Sequence, residues 1–357
     1  MRTSAGVNSS DARAFVSLDS PSEVFYARCR HMPPVVKPPP LERGNTVRVV
    51  APASPVEEAA LRKGCDELER LGYEARWDPR VLARQGYFAG GAEERLAKLS
   101  RALEENASRA VICARGGYGS GYLLDRLDTR ALKSPKALLG YSDITVLQLF
   151  LWRKKRWVTF YGPMVASGFD KGADVAGGYD SESFQHALTQ TSHAWKIDLR
   201  GETLFFGQAE GTIIGGCLTL VEATLGTSWE IQTSGSILLL EDRAMKPYQI
   251  DRALTHLRQA GKFKGVRGMV LGEFPECEVP PGNTSVRDVF ERIIEPLKIP
   301  VVWGAPVGHT PRAMLTIPLG IKARVVAHGS GRLDFLEPAC ANPQQRETKR
   351  GDKSRRS

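Results

Sequence analysis

Ala137-Leu138-Leu139-Gly140-Tyr141-Ser142-Asp143-Ile144-Thr145 is the stretch on which the fold turns. Three apolar residues make a short strand, Gly140 to Asp143 a sharp turn, and Ile144 to Trp152 reads as a helix. A serine on such a turn has its hydroxyl raised above a sheet, and amides at the helix N-terminus can face a developing oxyanion. Taken alone, Ser142 also fits a helix N-cap, a role serine favours.

The residues upstream say which kind of sheet this is. Val47-Arg48-Val49-Val50-Ala51 is short, β-branched and bounded by turn residues, as a buried strand is. Glu57 to Leu71 follows with apolar residues at helical spacing (Ala60, Leu61, Leu68, Leu71) and stops at Gly72, before a short strand at Tyr73-Glu74-Ala75. A charged helix from Ala92 to Asn106, a strand Ala110-Val111-Ile112-Cys113, a glycine loop and a helix to about Leu127 repeat the pattern. This alternation implies an α/β chain with a parallel sheet flanked by helices and ligands near the carboxyl ends of its strands. A nucleophile-bearing N-terminal domain is therefore expected over 45–167. From 168 to 202 glycines, Asp170, Asp174 and polar residues interrupt the alternation, and an interdomain connector is expected there. A smaller mixed α/β domain is expected over 203–340. Its elements read as strands at Gly211–Ile214 and Ile237–Leu240, a helix Tyr248–Ala260, a strand Gly268–Leu271, a helix Val286–Glu295 and strands near Val301 and Ala323.

Three further motifs lie at strand ends. Arg115-Gly116-Gly117-Tyr118-Gly119-Ser120-Gly121 follows the Ala110–Cys113 strand, but it has neither the dinucleotide-binding nor the Walker spacing. It reads either as a tight structural turn or as a loop whose Gly117 amide faces Ser142. Glu241-Asp242 ends the strand Ile237 to Leu240, where a carboxylate can orient a histidine or simply form a salt bridge or helix cap. His309 sits in the loop Pro306-Val307-Gly308-His309-Thr310-Pro311. A loop histidine is better placed for proton transfer than His256 in mid-helix, His186 and His193 in the connector, or His31 and His328 near the chain's ends. No histidine pair has metal-binding spacing, which disfavours a metalloprotease. Ile144 also occupies the second glycine position of G-x-S-x-G, so the serine turn is not that of an ordinary α/β-hydrolase.

Composition narrows the class. Of the 357 residues 42% are hydrophobic and 25% charged, ordinary globular values, and no apolar run is long enough to span a membrane. Residues 1–44, ending in Pro38-Pro39-Pro40, lack periodicity and an apolar leader core, and are expected to be a disordered extension. Met32 offers a second starting methionine; a genuine extension is the other reading. The net charge of +9 is concentrated in the flanks: residues 1–44 contribute 6 − 4 = +2 and residues 341–357 contribute 6 − 2 = +4. The tail 341–357 reads as a disordered basic end, and no nucleic-acid or membrane partner is expected. Six scattered cysteines without a CxxC pair fit reduced thiols, and a cytoplasmic location is expected.

Taken together, five ordered blocks resemble the LD-carboxypeptidase family, serine peptidases that include muropeptide carboxypeptidases and microcin-immunity peptidases. They are Val49-Val50-Ala51-Pro52-Ala53-Ser54, Ala114 to Gly119, Gly140 to Thr145, Leu240-Glu241-Asp242 and Gly308-His309, and the likeness spans roughly Arg48 to Val326. The resemblance implies a Rossmann-like N-terminal domain, with Ser142 as nucleophile, His309 as base and then acid, and Glu241 orienting His309. It also implies that the amides of Gly117 and Asp143 form an oxyanion hole. The implied substrate is a murein tetrapeptide cut between an L-centre diamino acid and terminal D-alanine, with no cofactor and, as often in this family, a homodimer. The alternatives are a microcin-immunity-type peptidase acting on aminoacyl-nucleotide analogues and a non-catalytic binding protein on the same fold. Arg115 is a candidate for the substrate carboxylate, since guanidinium binds carboxylate bidentately, or else it pins the glycine loop. Two positions depart from the family pattern: Tyr161 stands where His is usual and Cys217 where Asn is usual.

Overall fold

A computed structural model of the chain describes residues 33–342, apart from 278, 280 and 281. The first sheet is built from β1 (Thr46–Val50), β2 (Glu74–Arg76), β3 (Ser108–Cys113), β4 (Ala137–Gly140) and β5 (Thr159–Tyr161). These run parallel in the order β5-β4-β3-β1-β2. Chain direction across the sheet therefore reverses between β1 and β3, the position at which open α/β sheets form a ligand crevice. Helix α1 (Glu58–Arg70) buries Leu61, Gly64, Cys65 and Leu68, one face at helical spacing. Helix α2 (Ala92–Glu104) covers the sheet in the same manner. The segment Ser120–Arg126, read as a helix, is a 3₁₀ helix, whose glycine-rich start cannot sustain a longer α-helix. Helix α3 (Ile144–Lys155) differs: every residue from Ile144 to Trp152 is buried, and only its basic last turn reaches solvent before Arg156 closes it at φ 54°.

Helix α4 (Ser181–Thr189) precedes the second sheet. That sheet contains β6 (Trp195–Asp198), β7 (Glu202–Phe205), β8 (Gly207–Cys217), β9 (Ser236–Glu241), β10 (Gly268–Leu271) and β11 (Val301–Trp303). After β12 (Ile317–Leu319), it is completed by β13 (Lys322–Ala327) and β14 (Arg332–Phe335). Eight strands lie in the order β6-β14-β13-β8-β9-β10-β11-β7, with β8 to β11 parallel and the flanking pairs antiparallel. Helices α5 (Leu218–Glu222), α6 (Pro247–Gln259) and α7 (Val286–Ile294) cover one face. Successive side chains of a strand point to opposite faces, and the central strands obey this closely. Ile213, Ile237, Leu239, Val270 and Val302 enter the cluster shared with the first sheet, whereas Ile214, Leu238, Leu240, Met269, Leu271 and Val301 enter a second cluster under α5 to α7. Burial on both faces is why Ile237 to Leu240 reads as an unbroken apolar run. Leu149 and Trp152 of α3 join that second cluster, so the helix behind Ser142 is packed by both layers.

Two expectations are corrected. The stretch 168–202, read as a connector, carries α4 and β6 and buries Phe169, Tyr179 and Phe184 in the main core. Its aromatic residues are separated by glycines and polar residues, so neither strand nor helix periodicity shows. Residues 35–44, read as disordered, are also attached: Val36 N–H donates to Arg156 O, Leu41 N–H to Leu188 O, and Leu41 is 1% exposed. This arm is held by partners more than a hundred residues away, which no local pattern records. Most of the expected extension, and the tail from 343, lie outside the described residues. Among the described residues no helix is long and apolar enough to cross a membrane.

Candidate active site

The serine turn forms as its sequence demands. Ser142 has φ 61°, the left-handed region that non-glycine residues occupy mainly where function or packing holds them. The helix N–H groups take backbone acceptors, Ile144 from Tyr141 O and Thr145 from Ser142 O, and none bonds the Ser142 hydroxyl. The N-cap is Asp143, without a side-chain cap bond. Ser142 therefore does not serve as a cap, and its strained backbone presents a hydroxyl that no helix N–H claims.

The glycine loop runs against that hydroxyl. A Cβ added at Gly116 would lie 2.9 Å from Ser142 Cβ and 3.2 Å from its Oγ, so only glycine permits this approach. The loop is pinned at its base by Ser54, a residue of the first motif for which the sequence suggested no role. Ser54 N–H donates to Gly116 O (3.2 Å), and its hydroxyl accepts from Tyr118 N–H (3.0 Å). From the other side, the Asp143 carboxylate accepts from the Ser120 N–H (2.7 Å) and hydroxyl (2.6 Å). Burial pushes the Asp143 carboxyl up from the usual range, against the opposing pull of its Ser120 bonds. Neither the Gly117 nor the Asp143 N–H has an acceptor among the described residues. Arg115 is exposed, and its guanidinium donates to Pro55 O at 3.3 Å, a contact that holds the loop.

Glu241 and His309 come together across the ends of the second sheet. Glu241 ends β9 and is fully buried. Its Oε2 accepts from both the backbone N–H and ring Nδ1 of His309, each at 2.9 Å. A carboxylate only accepts, so the ring proton facing it sits on Nδ1 and leaves Nε2 as the basic nitrogen. The contact requires Gly308, at φ 61°: a Cβ there would stand 2.3 Å from Glu241 Cδ. Asp242, by contrast, takes the bland role. It accepts from the Thr219 N–H (2.9 Å) and hydroxyl (2.7 Å) at the start of α5.

Ser142 reaches this pair through its neighbours. The ring of Tyr141 meets that of His309 edge-on, with centroids 5.2 Å apart. Tyr161 accepts from Ser142 N–H (3.3 Å) and donates to Glu241 Oε1 (2.5 Å). Among the described residues the Ser142 hydroxyl and His309 ring share no hydrogen bond; catalytic contacts of this kind commonly close only in the substrate complex. Burial pushes the His309 imidazolium down, but the charge and hydrogen bond of Glu241 and the charge of Asp242 outweigh it, and the net shift is upward. Where His309 serves as a base, which is active only when neutral, kcat/KM is expected to rise with pH through a limb above the free imidazole value of about 6.5. A pH–rate profile of the parent protein checks this; a limb at or below that value would contradict the Glu241–His309 coupling.

The LD-carboxypeptidase N-terminal domain matches residues 47–162, and the LD-carboxypeptidase C-terminal domain matches residues 210–325. A probable murein peptide carboxypeptidase of Bacillus subtilis strain 168 is 36% identical over 292 residues, covering 80% of this chain and 90% of its own. The crystal structure of a muramoyltetrapeptide carboxypeptidase from Oxalobacter formigenes superposes with a TM-score of 0.72 at 31% identity, over 82% of this chain and 99% of that one. A structure of MccF in complex with glutamyl sulfamoyl guanosine shares the fold, with a TM-score of 0.77 at 22% identity over 86% and 100% of the two chains. Matched in both of its domains and by relatives along most of its length, the chain belongs to the LD-carboxypeptidase family.

Proposed function

We propose that this protein is a serine-type carboxypeptidase that removes terminal D-alanine from a murein-derived tetrapeptide. The observation that carries the reading is the bond of buried Glu241 to half-buried His309, linked through Tyr161 to a serine held at φ 61° on a strand-to-helix turn. The substrate class follows the names of the Bacillus and Oxalobacter relatives. Ser142 Oγ attacks the carbonyl carbon before the terminal residue while His309 Nε2 takes its proton. The Gly117 and Asp143 amides stabilise the oxyanion. The C–N bond then breaks, His309 returns the proton to the leaving amine, and the peptide remains as an ester on Ser142. Water, deprotonated by His309, releases the shortened peptide and restores the serine. Glu241 fixes the tautomer and stabilises the imidazolium throughout. No step of this scheme calls on a cofactor. Arg115 remains a candidate for the terminal carboxylate, although its bond to Pro55 supports loop-holding equally well. A cytoplasmic setting suits the five described cysteines, which are all unpaired and buried.

The deciding experiment offers the purified protein the tetrapeptide ending in D-alanine, the same peptide ending in L-alanine, and an aminoacyl sulfamoyl adenylate, with products identified by mass spectrometry. Release of D-alanine from the first is expected. Hydrolysis of the sulfamoyl adenylate with no release from the tetrapeptide would overturn the substrate assignment.

A further inference from the structure

Tyr161 ends β5, in register with Gly140 at the end of β4, so its backbone neighbours the serine turn directly. The residue is 0% exposed, and its ring packs edge-on to Tyr141 with centroids 6.3 Å apart. A phenol has one proton and Glu241 can only accept, so the proton is committed to Glu241 Oε1 and the phenol oxygen receives the Ser142 N–H. Glu241 then has three donors: Tyr161 on Oε1, and the backbone N–H and Nδ1 of His309 on Oε2.

We infer that Tyr161 is a positioning residue for the reaction, tying the backbone of the Ser142 turn on the first sheet to the Glu241 carboxylate on the second and thereby setting how much of that carboxylate's charge His309 feels. The inference rests on the proposed roles of Ser142, Glu241 and His309. Each hydrogen bond drawn from one carboxylate oxygen lowers the negative charge available at the other, because the two share one delocalised charge. Burial first, and then the Glu241 charge, push the Tyr161 phenol well above its ordinary range, so it remains a donor wherever the enzyme would work. The charged groups that face His309 are Glu241, Asp242 and Glu276, which favour its protonated form, and Arg243, which opposes it. Those facing Tyr161 are Glu241 and the Cys217 thiol, itself held neutral by burial.

The test is Tyr161→Phe in the full chain. Without the phenol proton Glu241 Oε1 loses its donor, and the whole charge turns to His309. The His309 titration is then expected to move to higher pH by about half a unit, read by ring-proton NMR without substrate. With substrate, kcat is expected to fall roughly 10- to 100-fold, with KM within about twofold, as misplacement of a reacting group does. An unmoved titration with unchanged kcat would reduce Tyr161 to a packing residue. Should the phenylalanine variant not fold, 3-fluorotyrosine at position 161 keeps the shape and makes a stronger donor, and the titration should move the other way; no movement overturns the inference. Since the NMR reading needs no turnover, failure of the murein-peptide assignment leaves this result legible.

Discussion

Ser142→Ala is expected to lower kcat by about 10⁵-fold or more, while leaving KM and the unfolding midpoint nearly unchanged. The stability half of this expectation follows from the contacts. The serine backbone is held at φ 61° by Ile144 and Thr145 bonding to Tyr141 O and Ser142 O, and by its own N–H on Tyr161. None of these uses the hydroxyl, and alanine meets a similar penalty at positive φ. The activity half follows from the proposed mechanism: without that nucleophile no acyl ester would form, and what would survive is the acceleration supplied by the proposed Gly117 and Asp143 amides and by binding. Rates of terminal-residue release from the matched substrate, with calorimetry on both proteins, check the two halves separately. A fluorophosphonate probe gives a second readout, since it should add mass at Ser142 in the parent and not in the variant. A variant that retains activity within tenfold of the parent would remove Ser142 from the mechanism.

The elements that were legible in the sequence are those whose signal is local. Ser142 lies between an apolar triplet and an apolar helix, Glu241 ends an unbroken apolar run, and His309 stands in a loop flanked by glycine and prolines. Each of those patterns reports on a few neighbouring residues, and each element formed within a few residues of its expected bounds. What joins them lies in no local pattern; in the sequence only the family resemblance groups the three. Cys217 and Glu241 end adjacent parallel strands in register, yet twenty-three residues separate them in the chain. β12, from near the C-terminal end of the described chain, returns to pair antiparallel with β5 and places Ile317 opposite Tyr161. In the sequence Tyr161 stands out only as a departure from a family pattern; its hydroxyl has meaning only with the two sheets in place. Ser54 is similar: nothing within Val49 to Ser54 indicates that its hydroxyl holds a loop sixty-four residues later. Pairings of this range are fixed by which apolar faces are buried together, a property of the whole chain that no short window contains.

Glu241→Gln is the second change with a large expected effect, and its consequences differ in kind from those at Ser142. The carboxylate meets three donors, one on Oε1 and two on Oε2. Glutamine can turn its carbonyl toward His309 and keep both of that residue's bonds, but its amide nitrogen then faces Tyr161. The phenol must rotate to accept from it and so loses its own acceptor in a fully buried place, at about 1–3 kcal/mol. The imidazolium loses more. With the negative charge gone, burial is left as the main influence on His309 and acts downward. The acid limb of kcat/KM is therefore expected to move to lower pH, opposite in sign to the shift expected for Tyr161→Phe. The weaker base and unsupported imidazolium together should lower kcat by about 10³- to 10⁴-fold, with KM little changed. Steady-state kinetics from pH 5 to 9, alongside denaturant unfolding of both proteins, separate the fold's loss from the reaction's. Should the limb stay in place and kcat fall less than tenfold, Glu241 would be a structural anchor for the Gly308–His309 loop, and the charge that supports the imidazolium would have to be sought at Asp242.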